Sequence, residues 1–407
     1  MITSEMYLDD KKTINCCGCE SCRQICPQQC IEMKYHDDGF TYPVINEEEC
    51  IKCNICKKVC PLSESKKFEK PRQEQGCYYG WHRDMDIRHE STSGGAFSAM
   101  AELILEDGGS VYGAMFDEKF KVCHQESRTK DDLWKLRQSK YVQSETGNCY
   151  TEIKERLDNN KKVLFCGTPC MVHGLRAFLQ KDHEDLVLVD FICHGVTSPL
   201  LFKKYLESLE KKNKSKIEKF RFRDKVTIGN FSSLAYTTIE FENGKKLSSG
   251  MNSYLISYMK GFMQRDSCEE CPYATLYRWS DMTIGDFWGI EDSVPNIKDE
   301  FSKGISLILT NSRKGREIVN KLTEKMELYG VDITIALNGK NEQLDKPISK
   351  NRNKKQFYGD LNNLPIELAL IKGIGIRSYL KLLVGRLKNG IKMILPKKIK
   401  NIILIFR

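Results

Sequence analysis

The chain has 407 residues, 40% of them hydrophobic and 10% aromatic, a composition that fits a folded protein of more than one domain and excludes a disordered or fibrous one. Its 18 cysteines follow an N-terminus, MITSEMYLDDKK, that lacks the apolar stretch of a signal peptide, so the expected setting is the reducing cytoplasm and the thiols are expected as metal ligands or buried groups rather than bridges. Ten Lys and Arg residues follow Glu367 with no acidic residue among them, and they exceed the net charge of +9; the rest sums to −1, which gives no support for a nucleic-acid partner.

Two cysteine runs come first. One is Cys16-x2-Cys19-x2-Cys22-x3-Cys26-Pro27, and the other is Cys50-x2-Cys53-x2-Cys56-x3-Cys60-Pro61. This is the spacing of bacterial ferredoxins, in which three thiolates on a tight loop reach three corners of a cubane and the fourth cysteine crosses to the other cluster. Cys17 is surplus, because Ile51 stands at its equivalent. The expected ligand sets are Cys16, Cys19, Cys22 and Cys60 for one [4Fe–4S] cluster, and Cys50, Cys53, Cys56 and Cys26 for the other. Structural zinc sites typically use separated C-x2-C pairs, which these runs are not. Cys30 reads as a packed thiol. The stretch between the runs fits two strands around an Asp38-Gly39 turn. A ferredoxin domain over 1–65 and a polar linker over 66–75 follow.

From residue 76 strands and helices alternate. CYYGWH, GSVYGAMF, KKVLFC and LVLVDFICHG read as strands. Helices are expected after STSGG, over 146–157, over MVHGLRAFL, and after Ser198-Pro199. That alternation predicts an α/β domain with a largely parallel sheet over 76–215. After Lys214 the pattern turns β-rich over 216–340, with Asn243-Gly244 as a hairpin turn, a strand ISLILTN and a helix over GREIVNKLTEKMEL. The fold class is α/β (α+β): a small bacterial-type ferredoxin domain followed by a mixed α/β domain. A basic amphipathic tail occupies 341–407. Its helix places Leu380, Leu383, Val384 and Leu387 on one face and Lys381, Lys388 and Lys392 on another. Charge breaks the apolar run, so it does not span a membrane; it suits either peripheral contact with the inner membrane face or docking on protein.

The motifs TSGGAFSAM, VYGAMF, SKYVQS, VLFCGTPCMVHGL, DFICHGVTSP and DMTIGDFWG occur in order, and through them the chain resembles the beta-subunit family of coenzyme F420-dependent hydrogenases and dehydrogenases. The resemblance implies a flavin-binding body that binds FAD, and electron passage between iron–sulfur clusters and a hydride-accepting substrate, which for some members is coenzyme F420. It puts flavin contacts at Thr92, Ser93, Gly94 and Gly95, where glycines and a helix N-terminus admit an anion; a plain glycine turn is the other reading. Lys140 would face the reduced ring and Tyr141 cover it, or both are ordinary surface and packing residues. Gly167 and Thr168 lie at the carboxyl end of a strand, where open α/β sheets bind ligands. A third [4Fe–4S] cluster beside the flavin is expected on Cys170, Cys193, Cys268 and Cys271, with Cys166 as a substitute for Cys170. The other reading is two core thiols and a zinc or redox pair. His194 is the candidate proton donor, and Asp281 and Asp286 are expected only to orient a ligand. Neither a P-loop nor a G-x-G-x-x-G fingerprint is present.

The expected function is that of an FAD- and iron–sulfur-dependent oxidoreductase. It would take electrons from a donor such as ferredoxin or a partner redox subunit and exchange a hydride with a small organic molecule. The alternative is a non-catalytic electron-transfer subunit of a larger redox complex.

Overall fold

The computed structural model describes residues 7–63, 75–228, 231–250, 252–338 and 340–380. Apart from Gln75, the expected linker lies outside these residues, as do a short N-terminal stretch and the tail helix beyond Leu380. No helix among the described residues is long and apolar enough to cross a membrane.

β1 (Ile31–Tyr35) and β2 (Thr41–Ile45) form the expected antiparallel hairpin, with Tyr35 opposite Thr41. Asp38 holds the turn, accepting from the Phe40 amide at 3.0 Å and the Tyr42 hydroxyl at 2.7 Å. The two cysteine loops share one backbone design. Gly18 and Glu20 in the first, and Lys52 and Asn54 in the second, all take left-handed conformations before the short helices Ser21–Gln24 and Ile55–Lys58. Alternating left-handed residues curl each loop around a common point, which lets three thiols converge.

The body is built on β3 (Gly76–His82), β4 (Ser110–Phe116), β5 (Val122–Ser127), β6 (Val163–Cys166) and β7 (Leu186–Phe191), with a separate meander of β8 (Ile217–Ile228), β9 (Phe231–Phe241) and β10 (Lys246–Gly250). β11 (Met282–Asp286), β12 (Ser306–Thr310) and β13 (Met326–Gly330) then return to the first sheet, whose order is β13-β3-β12-β11-β7-β6-β4-β5. Its centre is parallel, pairing β4 with β6, β6 with β7 and β7 with β11. Both edges are antiparallel, so the sheet is mixed rather than largely parallel. Apolar periodicity reports burial, not strand direction, and the returning strands escape it.

The central strands are buried on both faces because helices cover both. Leu164, Val187 and Val189 pack with Ala99, Met100 and Ile104 of the helix Ala96–Glu106 on one face. Val163, Phe165, Leu186 and Leu188 pack with Val172, Leu175 and Phe178 of the helix Pro169–Leu179 on the other. Each such side chain removed from water contributes about 1.5–3 kcal/mol. The meander packs Phe220, Phe222 and Phe241 under the helices Pro199–Asn213 and Ile366–Ile374. Ser198 caps the first of these, accepting from the Leu201 amide as its Ser-Pro start implies. The helix expected over 315–328 stops at Leu322, and Met326 begins a strand. Val319, Leu322 and Met326 share helical spacing and one buried cluster, so the pattern alone looks continuous.

Candidate functional site

A cavity of about 520 Å³ opens at the carboxyl ends of β6, β7 and β11, a volume within the range of cofactor sites. Thr92, Ser93, Gly95, Lys140, Tyr141, Gly167, Thr168 and His194 all line it, and so do Cys170, Cys193, Cys268 and Cys271. The sequence separates these residues by up to 179 positions; the ends of the parallel strands gather them.

Gly94 is the exception. A Cβ there would stand 2.4 Å from the Gly80 carbonyl oxygen and 2.6 Å from the Ser306 amide, so it is needed for the loop to cross the sheet backbone. The neighbouring hydroxyls are engaged as well. Thr92 accepts from the Ser139 amide at 2.9 Å, and Ser93 donates to the Ile305 carbonyl at 2.8 Å. These bonds hold the loop against two other segments and leave the Thr92 proton and the Ser93 lone pairs for a ligand.

Lys140 donates to the carbonyls of Arg137 at 2.6 Å and Lys135 at 3.1 Å. Burial depresses its pKa to about 7. Tyr141 packs against Tyr258, with ring centroids 4.6 Å apart. His194 is lowered in pKa by burial, opposed by the charge of Asp286. Asp281 faces away from this chemistry: it accepts from the Leu188 amide at 2.9 Å and the Ser312 hydroxyl at 2.6 Å, joining β7 to the helix Arg313–Leu322.

Four cysteines, Cys170, Cys193, Cys268 and Cys271, line the cavity, although among the described residues no three His, Cys, Asp or Glu side chains stand close enough to hold a metal ion as they are. Burial and, after it, the negative charges of Cys268, Cys170 and Cys271 push the Cys193 thiol up. Burial and then Cys170 and Cys268 push Cys271 up to about 12. Cys166 stands apart from them, its thiol raised by burial and then by Asp190. Thiols held neutral in this way give up their protons when a cation or cluster takes the charge. The same holds in the ferredoxin-type module. Cys22 is raised by burial and then by Cys19, Cys16, Cys60 and Cys56. Cys56 is raised by burial and, among its neighbouring thiolates, by Cys26, Cys53 and Cys50. Cys22 thus feels Cys16, Cys19 and Cys60 of its own expected set and Cys56 of the other, and Cys56 feels Cys26, Cys50 and Cys53. Cys53 is exposed, whereas Cys19 is buried against the body. Cys30 is buried with its sulfur 3.5 Å from that of Cys26, a packed thiol beside the second set.

Cys17 lies between the module and the cavity. It lines the cavity, and its thiol is pushed up by its neighbours Cys170 and Cys19 and by burial. The helix Pro169–Leu179 meets the module at Gly174, where a Cβ would stand 2.9 Å from the Cys19 Cβ and 2.8 Å from the Ser21 hydroxyl. The first cysteine run is thus adjacent to the third.

Sequence reasoning missed Arg223 and Trp288, which line the cavity, and Lys225, which braces the Ser93 loop without lining it. Arg223 pairs with Asp286 in the cavity wall, its guanidinium 5.4 Å from the Trp288 ring. Lys225 donates to the carbonyls of Ser93 at 2.6 Å and Arg88 at 2.5 Å, and burial followed by the Arg88 charge lowers its pKa to about 7. The signal was present in FRFRDK, where basic residues alternate with Phe220 and Phe222 and so occupy the opposite face of the strand.

A ferredoxin-type module on a mixed α/β body defines the class: an iron–sulfur redox protein. Two models describe the "Coenzyme F420 hydrogenase/dehydrogenase, beta subunit": the one for its N-terminal part matches residues 77–149, and the one for its C-terminal part matches 160–334. A "4Fe-4S dicluster domain" matches 15–63. The first two together span more than half of the chain, which belongs to the coenzyme F420 hydrogenase/dehydrogenase beta-subunit family and carries iron–sulfur clusters in an N-terminal 4Fe–4S dicluster domain. Among curated proteins it is similar to an uncharacterized ferredoxin of Methanocaldococcus jannaschii, 39% identical over 46 residues, which are 11% of this chain and 25% of that one. Among solved structures it is similar to a chain of the F420-reducing [NiFe] hydrogenase complex from Methanosarcina barkeri, at 18% identity and a TM-score of 0.44, covering 71% of this chain and 92% of that one.

Proposed function

We propose that the chain is an iron–sulfur flavoprotein oxidoreductase. It passes electrons between [4Fe–4S] clusters and FAD and exchanges a hydride with an organic molecule such as coenzyme F420 or another substrate. The observation that carries this reading is the one cavity in which Cys170, Cys193, Cys268 and Cys271 meet Thr92, Ser93, Gly95, Lys140, Tyr141, Gly167 and Thr168. FAD, when bound, supplies the exchange of single electrons with a cluster and of an electron pair with an organic substrate.

The chain's own residues would bind and orient. Gly95, at the N-terminus of the helix Ala96–Glu106, and Gly167, at the end of β6, let backbone approach an anionic group. Arg223 offers a fixed positive charge at the cavity wall and Lys140 an amine that gains or loses its proton near pH 7, Tyr141 offers an aromatic face, and His194 is the candidate to hold a proton near the reacting atoms. Cys170, Cys193, Cys268 and Cys271 would hold a third cluster. The exposed Cys53 end of the ferredoxin-type module faces outward, which suits an outside electron carrier or a partner redox protein in the cytoplasm.

The test is cofactor content. Protein purified without oxygen is treated with acid, and the released small molecules are separated by chromatography. One FAD per chain is the expected result. Intact clusters with no flavin would leave the non-catalytic electron-transfer subunit as the function.

A further inference from the structure

We propose that Arg265 is the buried counter-charge of the first ferredoxin-type cluster, raising that cluster's reduction potential while fixing it against the body of the protein. The proposal rests on the reading of Cys16, Cys19, Cys22 and Cys60 as ligands of one cluster.

Arg265 is completely buried, at 0% exposure, and its side chain reaches out of the body into the module. Its Nε donates to the Cys16 carbonyl at 2.7 Å, one terminal nitrogen donates to Gln143 Oε1 at 2.7 Å, and the other donates to the Thr41 carbonyl at 3.0 Å. The guanidinium lies 4.1 Å from the Tyr42 ring and 5.2 Å from Phe40. Gln143 completes the clamp by donating to the carbonyls of Cys17 and Gly18, each at 3.2 Å. Gly18 has φ +69, and a Cβ there would overlap the Gln143 amide, so the loop shape and the clamp fit each other.

No carboxylate among the described residues lies within 4.0 Å of Arg265. A guanidinium buried with carbonyl partners alone is costly, by several kcal/mol. Its closest tie is to the backbone of the first cysteine loop at Cys16, with the Asp38 carboxylate as a farther negative group. A [4Fe–4S] cluster on four thiolates is an anion, and taking up one electron makes it more negative with no bond made or broken. A fixed positive charge in a low-dielectric surround stabilises the reduced form more than the oxidised one, and so raises the potential. Arg265 stands three residues before Cys268, and its amide donates to the Val196 carbonyl at 3.0 Å. One residue therefore ties the first cysteine loop to the segment carrying the third set.

The test uses the full chain, purified without oxygen, with iron and sulfide counted and the clusters titrated with dithionite while their electron paramagnetic resonance is followed. Arg265→Gln with full iron is expected to lower the potential of one cluster and leave the others unchanged. Arg265→Lys should restore most of the shift. Asp38→Asn removes a negative charge whose field reaches Arg265 and keeps an acceptor for the Phe40 amide, so it should raise the potential of the same cluster. Unchanged potentials in a fully loaded Arg265→Gln protein overturn the proposal. If that variant loses iron, Asp38→Asn decides: no upward shift overturns it. Cys16→Ser tests the underlying reading separately, because unchanged iron content there removes the cluster itself from Cys16.

Discussion

Arg223, which is buried, and Asp286, which is half-buried, meet as an ion pair in the cavity wall, one from the β8 meander and the other from the end of β11 in the large sheet. The pair is therefore a joint between two sheets as well as a charged patch beside the proposed ligand. Removing one partner of a buried pair leaves the other desolvated, at a cost of about 3–5 kcal/mol. Asp286→Ala is expected to lower stability by about that amount in anaerobic urea denaturation. Adding Arg223→Met should recover part of the loss. A single variant within about 0.5 kcal/mol of the parent chain would show that the pair holds nothing.

Lys140 and Lys225 give the protein a pH dependence of definite sign. Burial lowers both from the ordinary lysine value of 10.5 to about 7, and the Arg88 charge adds to the effect on Lys225. Between about pH 7 and 10.5 the unfolded chain holds these protons and the folded chain does not. Stability from these groups therefore rises as pH rises through that window, and below about 7 the full cost of burying the charged form remains. Lys140→Met and Lys225→Met should each reduce the slope of stability against pH, by up to one proton. Denaturation midpoints measured between pH 7 and 9.5 check this, and an unchanged slope in both variants would refute it.

Gly174 is one of the places where the body touches the ferredoxin-type module closely. An added methyl group meets the Cys19 Cβ at 2.9 Å and the Ser21 hydroxyl at 2.8 Å, and neither belongs to a long, flexible side chain. Overpacking of this kind typically costs about 1–3 kcal/mol. Gly174→Ala is expected to lower the midpoint of thermal unfolding and to make the module more open to limited proteolysis. A midpoint and a digestion pattern matching the parent chain would mean that the interface relaxes freely.

The ferredoxin-type module was the most legible part of the sequence, because its cysteines stand at short, fixed spacings. Each loop of Cys16–Cys22 type closes within a few residues, and Asp38-Gly39 marks its own turn. The strands around Leu164 and Leu188 were legible because burial on both faces leaves an unbroken apolar run. β5, with the sequence VCHQES, was not, since it is an edge strand with polar positions. The return of β11, β12 and β13 to the first sheet is a long-range pairing with no local mark. The cavity residues were found piecemeal through their glycines and cysteines. Arg223 and Lys225 were passed over because a basic residue on a strand looks like solvated surface until the opposing wall is known.

The choice between Cys166 and Cys170 separates the two readings of the third set. Cys166 ends β6, whereas Cys170 lies in the first turn of the helix Pro169–Leu179 and acts on the thiols of Cys193, Cys268 and Cys271. Its sulfur is also 3.1 Å from the Thr168 hydroxyl, which can donate to a thiolate. Cys166 has the Lys140 and Asp190 charges about it instead. If the four cysteines hold a cluster, Cys170→Ser, Cys193→Ser, Cys268→Ser and Cys271→Ser should each lose about four irons per chain. Cys166→Ser and Cys17→Ser should lose none. Iron and acid-labile sulfide counted on anaerobically purified protein give the answer. Zinc in place of iron, retained through a Cys170→Ser change, would make the Cys268-x2-Cys271 pair a structural metal site and remove the third cluster.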